Sequence, residues 1–165
     1  MKMARQGGLY EFAGMPLIVR TAQLEDAIDV LRWRNDRLVC AMSRETQPIN
    51  EKIHKAWYSR AIDDPSRLLL IGVHGGQKIG MIRFDHRQAS SWEVSIMVAP
   101  EARGQGMGRH LLQMALERLR AVCAPSCVLA TIRLDNQPSL GLFHALGFKQ
   151  ESDDGEFMNL MLAPD

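Results

Sequence analysis

Apolar and polar positions alternate along this chain with two periods, and each period predicts a kind of element. The short apolar run 17-LIVR-20 reads as a strand. The stretch 23-QLEDAIDVLRWRND-36 repeats at helical spacing and predicts a helix with Leu24, Ile28, Leu31 and Val30 inward. Polar punctuation at 43-SRETQP-48 separates it from a second helix, 50-NEKIHKAWYSRAI-62, where Ile53, Trp57 and Ala61 recur. Three strands follow at 67–74, 77–86 and 92–98, joined by short turns that predict an antiparallel meander. From Gly108, Leu111, Leu112, Ala115, Leu116 and Leu119 define a strongly amphipathic helix that ends before 124-APS-126. A strand at 127-CVLATIR-133, a helix from Pro138 to Leu146 closed by Gly147, and a strand near 156-EFMNLML-162 finish the pattern.

Strands first, then strand alternating with helix, predict a mixed α/β sheet in one domain over residues 17–163. No repeat or linker divides it. The segment 1–16 has no apolar h-region and is expected to be a loosely ordered polar extension rather than a signal peptide. With 165 residues, of which 46% are apolar, the chain is large enough for one sizeable core. Its run 68-LLLIGV-73 is far short of the roughly 20 residues of a membrane span.

A net charge of +1 with scattered basic residues gives no electrostatic footprint for nucleic acid or an anionic membrane, so the expected partner is a small molecule. Cys40, Cys123 and Cys127 are odd in number and suit a reducing, cytoplasmic compartment. Cys123 and Cys127 lack a second Cys or His pair, so no metal site is expected.

The chemistry concentrates at 100-PEARGQGMGRHLLQ-113, where Gly104, Gly106 and Gly108 alternate between Arg103 and Arg109 just ahead of the amphipathic helix. A helix N-terminus offers unpaired N–H groups and a partial positive charge, glycines let that backbone approach an anion, and arginines add charge-assisted contacts. The segment therefore reads as a phosphate cradle. Its G-x-G-x-G spacing excludes a dinucleotide fingerprint, and the missing Gly-Lys-Ser/Thr excludes a P-loop.

Preceded by a strand, the run from Val98 to Arg109 resembles the acetyl-coenzyme A motif Q/R-x-x-G-x-G/A of the GNAT superfamily of N-acetyltransferases. Downstream, 133-RLDNQPSLGLFHALGFK-149 is similar to the family's N-x-x-(A/S)-x-x-x-Y-x-x-x-G-F element. The order of strands and helices also matches from about Leu17 to Leu162. The resemblance implies a mostly antiparallel central sheet, flanked by helices and splayed between the strands at 92–98 and 127–133. It further implies that Ile96, Met97 and Val98 pair with the pantetheine arm of acetyl-coenzyme A and that Arg103, Gly104, Gln105, Gly106, Met107, Gly108 and Arg109 hold its pyrophosphate. Asn136 reads equally as a hydrogen-bond donor to the same arm and as a helix cap. Phe143 occupies the place of the family's acid tyrosine, beside the cofactor.

Direct attack of an amine on a thioester needs no acyl-enzyme, only two reactants held together and an uncharged amine. Glu93, on the strand leading to the thioester, is the candidate base, or else an ordinary strand carboxylate. Phenylalanine donates no proton, which leaves water, Ser139 or His144 to protonate the thiolate, or a fold that binds acyl-coenzyme A without catalysis. The segments 32-RWRNDRLV-39 and 54-HKAW-57 resemble a GNAT subgroup that includes acetyltransferases of nucleotide-linked 4-amino sugars and of ribosomal-protein N-termini. For the sugar, Trp33 and Trp57 would stack on a ring and Arg34 and Arg83 would meet phosphate, with His54 nearby; otherwise these side chains are core and surface. The nucleotide-linked amino sugar is the expected acceptor, since an amino-sugar amine is less basic than lysine, whose amine has a pKa near about 10.4. The protein N-terminus is the alternative, and the reading admits a homodimer.

Overall fold

The structure, a computed structural model, describes residues 4–6 and 9–164. Its strands are β1 (Ala4–Gln6), β2 (Leu9–Phe12), β3 (Met15–Thr21), β4 (Arg67–His74), β5 (Gln77–His86), β6 (Ser91–Val98), β7 (Cys127–Arg133), β8 (Lys149–Asp153) and β9 (Phe157–Leu162). Its helices are α1 (Ala27–Arg34), α2 (Arg37–Met42), α3 (Glu51–Ala61), α4 (Met107–Val122) and α5 (Gln137–Ala145). The strands form one sheet in the order β1-β2-β3-β4-β5-β6-β7-β9-β8. Every pairing is antiparallel except β6 with β7. This is the mixed α/β fold expected from the pattern.

Strand register sorts the side chains between two faces, because residues directly opposite in a ladder point the same way. A Cβ on Gly72 would lie 2.5 Å from Leu111 of α4, so Gly72 and its partner Gly80 look toward that helix. The pairs Ile82↔Ile96 and Phe84↔Val94 share the α4 face. On the opposite face Arg83 pairs with Ser95 and Asp85 with Glu93, and the Arg83 guanidinium stacks on Trp57 of α3. Helices thus cover both faces, and Leu70, Ile71, Ile82, Leu111, Leu112, Leu119 and Leu160 are fully buried between the layers.

The parallel ladder is short. Ser91↔Cys127, Trp92↔Val128 and Glu93↔Leu129 are its only register pairs among the described residues. Beyond them β6 stays with β5 and β7 stays with β9, so the sheet forks between 94–98 and 130–133.

Three expectations need correction. Residues 9–16 do not form a loose extension: β2 pairs with β3, and Phe12 is buried, tilted against the rings of His74 and His110. The helix expected over 23–36 is a 3-10 turn at Leu24–Asp26 followed by α1, with α2 after it. Its buried side chains are Ala27, Val30 and Trp33, whereas Leu24 and Ile28 are 61% and 51% exposed. In α3 the same phase error appears, since Ile53 is exposed while His54, Tyr58 and Ala61 are buried.

At the start of α1, Asp26 has no exposed surface. Its carboxylate accepts from Arg20 Nη1 at 2.7 Å and Nη2 at 2.8 Å, from Lys78 Nζ at 2.8 Å and from the Gln23 amide at 2.8 Å. Burial by itself would raise its pKa, but these donors outweigh it and hold the carboxyl well below the usual range.

Candidate active site

The fork in the sheet ends at a glycine loop that leads into α4. Gly104 and Gly106 adopt φ of +72° and +79°, the left-handed region that L side chains rarely enter, and no atom lies within 4 Å of where their Cβ atoms would stand. Gly106 is the residue capping α4 and has no side chain to satisfy the first-turn N–H groups. Open space, exposed backbone and uncapped helix amides meet here, as an anionic pyrophosphate requires. Gly108 has a different reason to be glycine. A Cβ there would sit 3.1 Å from Leu142 and 3.3 Å from Val98, so it lets α4 approach α5 and β6.

The cations of the loop are less free than their spacing suggested. Arg103 Nε donates to Val98 O at 3.1 Å and its Nη2 pairs with Asp36 at 2.9 Å, which locks the loop to the N-cap of α2. Arg109 is exposed and reaches toward Ala145 O at 3.5 Å. Gln105 folds back onto Glu101 O. The Met107 side chain is buried, so only its backbone faces the loop. Ile96, Met97 and Val98 lie on the arm of β6 past its last pair with β7, where the strand edge toward β7 has no strand partner.

Across the fork, Asn136 caps α5 by accepting from the Ser139 amide at 3.3 Å. Ser139 is partly exposed. Phe143 is buried and packs edge-to-face on Phe148 at 4.9 Å between centroids, because it belongs to the apolar face of α5. The aromatic ring thus sits in the core. His144 is exposed, with Nδ1 3.1 Å from Phe148 O.

At the vertex of the fork the face opposite α4 is polar. Glu93 lies there, on the last paired position, with Asp85 and Ser95 around it. Alternation puts Thr131 of β7 on the same face, one step beyond Leu129, and its ladder partner Asn159 with it. Glu93 Oε2 accepts from Arg87 Nε at 2.8 Å and from Arg87 Nη2. The guanidinium pKa is raised, first by that hydrogen bond and then by the carboxylate charge. Glu93 Oε1 points the other way, 3.4 Å from Thr131 Oγ1.

Beside Glu93 opens a cavity of about 350 Å³ lined by Trp57, Ser66, Arg67, Arg83, Asp85, His86 and Arg87. The Arg67 and Arg83 guanidinium carbons stand 5.8 Å and 5.7 Å from the Trp57 ring centre. Asp85 holds Arg83 through Nε at 2.8 Å, whereas Arg67 Nε lies between Asp64 at 3.3 Å and Asp85 at 3.6 Å. Their Nη groups make no hydrogen bond among the described residues. Arg44, from the loop between α2 and α3, lies 4.4 Å over the Phe157 ring.

Of the residues expected to contact the acceptor, the structure places Trp57 and Arg83 in this cavity and the others elsewhere. Trp33 is completely buried, its indole N–H without a partner among the described residues. His54 is buried with Nε2 2.8 Å from Ala27 O, and burial lowers its pKa. Arg34 anchors the α2–α3 loop through Glu45 O at 2.7 Å and touches Cys40 Sγ. These three hold the helical layer together instead of facing an acceptor. Arg67, Asp85, Arg87, Thr131 and Asn159 were not anticipated; of these, only the i, i+2 spacing of Arg83, Asp85 and Arg87 left a signal, a charged stripe on one strand face.

A forked sheet with a glycine loop at its mouth and a polar vertex defines the class of coenzyme A-dependent acyl transferases. The chain belongs to the acetyltransferase (GNAT) family, whose family model matches residues 28–148, and it is an acetyl-coenzyme A-dependent N-acetyltransferase. It is 29% identical over 142 residues, 82% of this chain and 81% of the relative, to the L-methionine sulfoximine/L-methionine sulfone acetyltransferase of Pseudomonas aeruginosa. An N-alpha-acetyltransferase of Sulfurisphaera tokodaii is 35% identical over 77 residues, 43% of this chain and 46% of that one. In fold the chain is similar to spermidine N-acetyltransferase from Vibrio cholerae in complex with CoA and spermine, with TM-score 0.79 and 17% identity over 90% of this chain and 95% of that one. Among the described residues no cluster of three or more His, Cys, Asp or Glu is arranged to hold a metal ion, and no helix is long and apolar enough to cross a membrane.

Proposed function

We propose that the acceptor is the primary amine of a small molecule that also carries an oxyanion, and that Glu93 takes the amine proton. The observation that carries this is the cavity beside Glu93, where Asp85 and Asp64 hold two guanidinium groups by Nε and leave their Nη groups without a hydrogen bond among the described residues. Such a fork matches a phosphoryl or carboxylate group with paired hydrogen bonds. A nucleotide-linked amino sugar satisfies the requirement through its diphosphate, with Trp57 available to stack on a ring. An amino acid satisfies it through its carboxylate, and the Pseudomonas relative carries the name of an enzyme for methionine derivatives.

Acetyl-coenzyme A, when bound, supplies the activated acetyl group. Gly104, Gly106 and the first-turn amides of α4 would hold its pyrophosphate, and the open edges of β6 and β7 would flank the arm. Glu93 at the vertex then receives the proton lost by the attacking nitrogen, directly or through water. Phe143 carries no hydroxyl, so Ser139 or water is left to protonate the thiolate.

Thiol release with a panel of amines tests the proposal. A UDP-linked 4-amino sugar and L-methionine sulfone stand for the anionic acceptors, and spermidine and an N-terminal peptide for the rest. Turnover of at least one of the first pair is expected, with Arg83→Ala raising its KM by about 10- to 100-fold and leaving kcat nearly unchanged. Turnover confined to spermidine or the peptide overturns the reading.

A further inference from the structure

Glu93 has its two carboxylate oxygens in different company. Both bonds from Arg87 end on Oε2, which ties that oxygen to the β5–β6 turn side of the strand. Oε1 faces the fork and meets Thr131 Oγ1. Thr131 has one proton and two acceptors within reach, Glu93 Oε1 at 3.4 Å and Asn159 Oδ1 at 3.1 Å. Asn159 is itself held by donation from Nδ2 to Ser152 Oγ at 3.1 Å. No other side chain hydrogen-bonds to Oε1 among the described residues.

From this arrangement we infer that Thr131 is a positioning residue that serves Glu93 in both of its protonation states. While Glu93 is ionised, the hydroxyl donates to Oε1. After Oε1 has taken a proton from the acceptor amine, the new carboxyl O–H donates to a lone pair of Thr131 Oγ1, and the threonine proton turns to Asn159 Oδ1. The count closes: one proton moves from nitrogen to Oε1, none leaves Thr131, and no oxidant or further reactant takes part. A hydroxyl can do this because it is at once donor and acceptor. Arg87 only donates, so it can hold Oε2 as carboxylate or as carbonyl oxygen but cannot receive the new O–H, which leaves Oε1 as the reacting oxygen.

The position of Thr131 in the fold supports the role independently of the hydrogen bonds. It is the first residue of β7 on the Glu93 face after the ladder with β6 has stopped, so it stands at the fork on the side of β6 while still paired with β9 on the other. Through β9, its partner Asn159 joins the site to the far block of the sheet.

This inference rests on Glu93 being the base, and the experiment separates the two. Steady-state kinetics are compared for wild type, Glu93→Gln, Thr131→Val, Thr131→Ser and the double variant Glu93→Gln/Thr131→Val, with acetyl-coenzyme A affinity and melting temperature measured for each. Loss of the base is expected to lower kcat by about 100-fold or more. Thr131→Val is expected to lower kcat by about tenfold, with both KM values and cofactor affinity within about twofold of wild type. Thr131→Ser keeps the hydroxyl and should recover most of the rate, and the double variant should be no slower than Glu93→Gln alone. A Glu93→Gln enzyme as fast as wild type removes the base itself. An impaired Glu93→Gln beside a fully active Thr131→Val, or a Thr131→Ser as slow as the valine variant, overturns the role given to Thr131 and leaves the base in place.

Discussion

At the residue scale, the buried carboxylate of Asp26 shows how a single side chain fixes the entry to the acceptor half of the molecule. Arg20 comes from β3, Lys78 from β5 and Gln23 from the turn before α1, so one carboxylate joins three segments. Replacing it by asparagine leaves Arg20 without its counter-ion and Lys78 with Asp29 alone, and the expected loss is about 3 kcal/mol, the lower end for a buried pair. Urea denaturation monitored by tryptophan fluorescence measures it, and a loss below about 1 kcal/mol would place the pair among weak surface bridges instead. Its pKa is depressed on folding, so its contribution is complete above the unfolded carboxyl value of about 3.9 and fades only as pH falls through the lower folded value. Asp26 therefore adds no pH dependence near neutrality.

At the scale of elements, the turn before α4 decides cofactor affinity. Gly106 at φ +79° is not crowded, so a larger side chain fails there through backbone strain and through its intrusion on the anion, not through a clash within the protein. Gly106→Val is expected to weaken acetyl-coenzyme A binding at least tenfold in calorimetry while costing about 1–2 kcal/mol of stability. Affinity equal to wild type would remove the loop from the cofactor site. This loop was legible in the sequence because glycine spacing and helix start are local properties. The fate of Arg103 was not, since its partner Asp36 is 67 residues away. For α1, short and preceded by a 3-10 turn, the apolar pattern allowed two phases. Leu24 and Ile28 suggested the wrong one, because the small Ala27 carries little signal on the buried stripe. β8 is exposed at every position and lies at the sheet edge, so no alternation announced it.

For the whole molecule, one buried and one half-buried histidine set the response to mild acid. His54 is pushed down by burial, against the pull of Ala27 O, and His110 is pushed down by burial and by the charge of Arg109. A histidine whose pKa falls on folding favours the native state above its unfolded value of about 6.5, and that preference is lost as pH drops toward the folded value. Stability is thus expected to decline between pH 7 and pH 5, with proton uptake on unfolding in that window. Melting temperatures across the range check the sign, and a constant or rising value contradicts it. The fold class and the cofactor half of the site follow from patterns within single segments. The acceptor half does not, because Arg67, Arg83, Glu93 and Thr131 meet only through strand register, which no local pattern reports.

The short ladder between β6 and β7 also divides the molecule mechanically. Strands β1 to β6 form one antiparallel block and β7, β9 and β8 another, and the seam between them within the sheet is the three pairs from Ser91↔Cys127 to Glu93↔Leu129. Tension applied across the sheet concentrates on those few backbone bonds, while the continuous ladders inside each block share the load. Glu93 sits on the last of the three pairs and Thr131 just past it, on opposite sides of the seam. Any slip between the blocks therefore changes the gap between those two side chains, and the same seam that opens the cleft sets how stiffly the base is held against the hydroxyl.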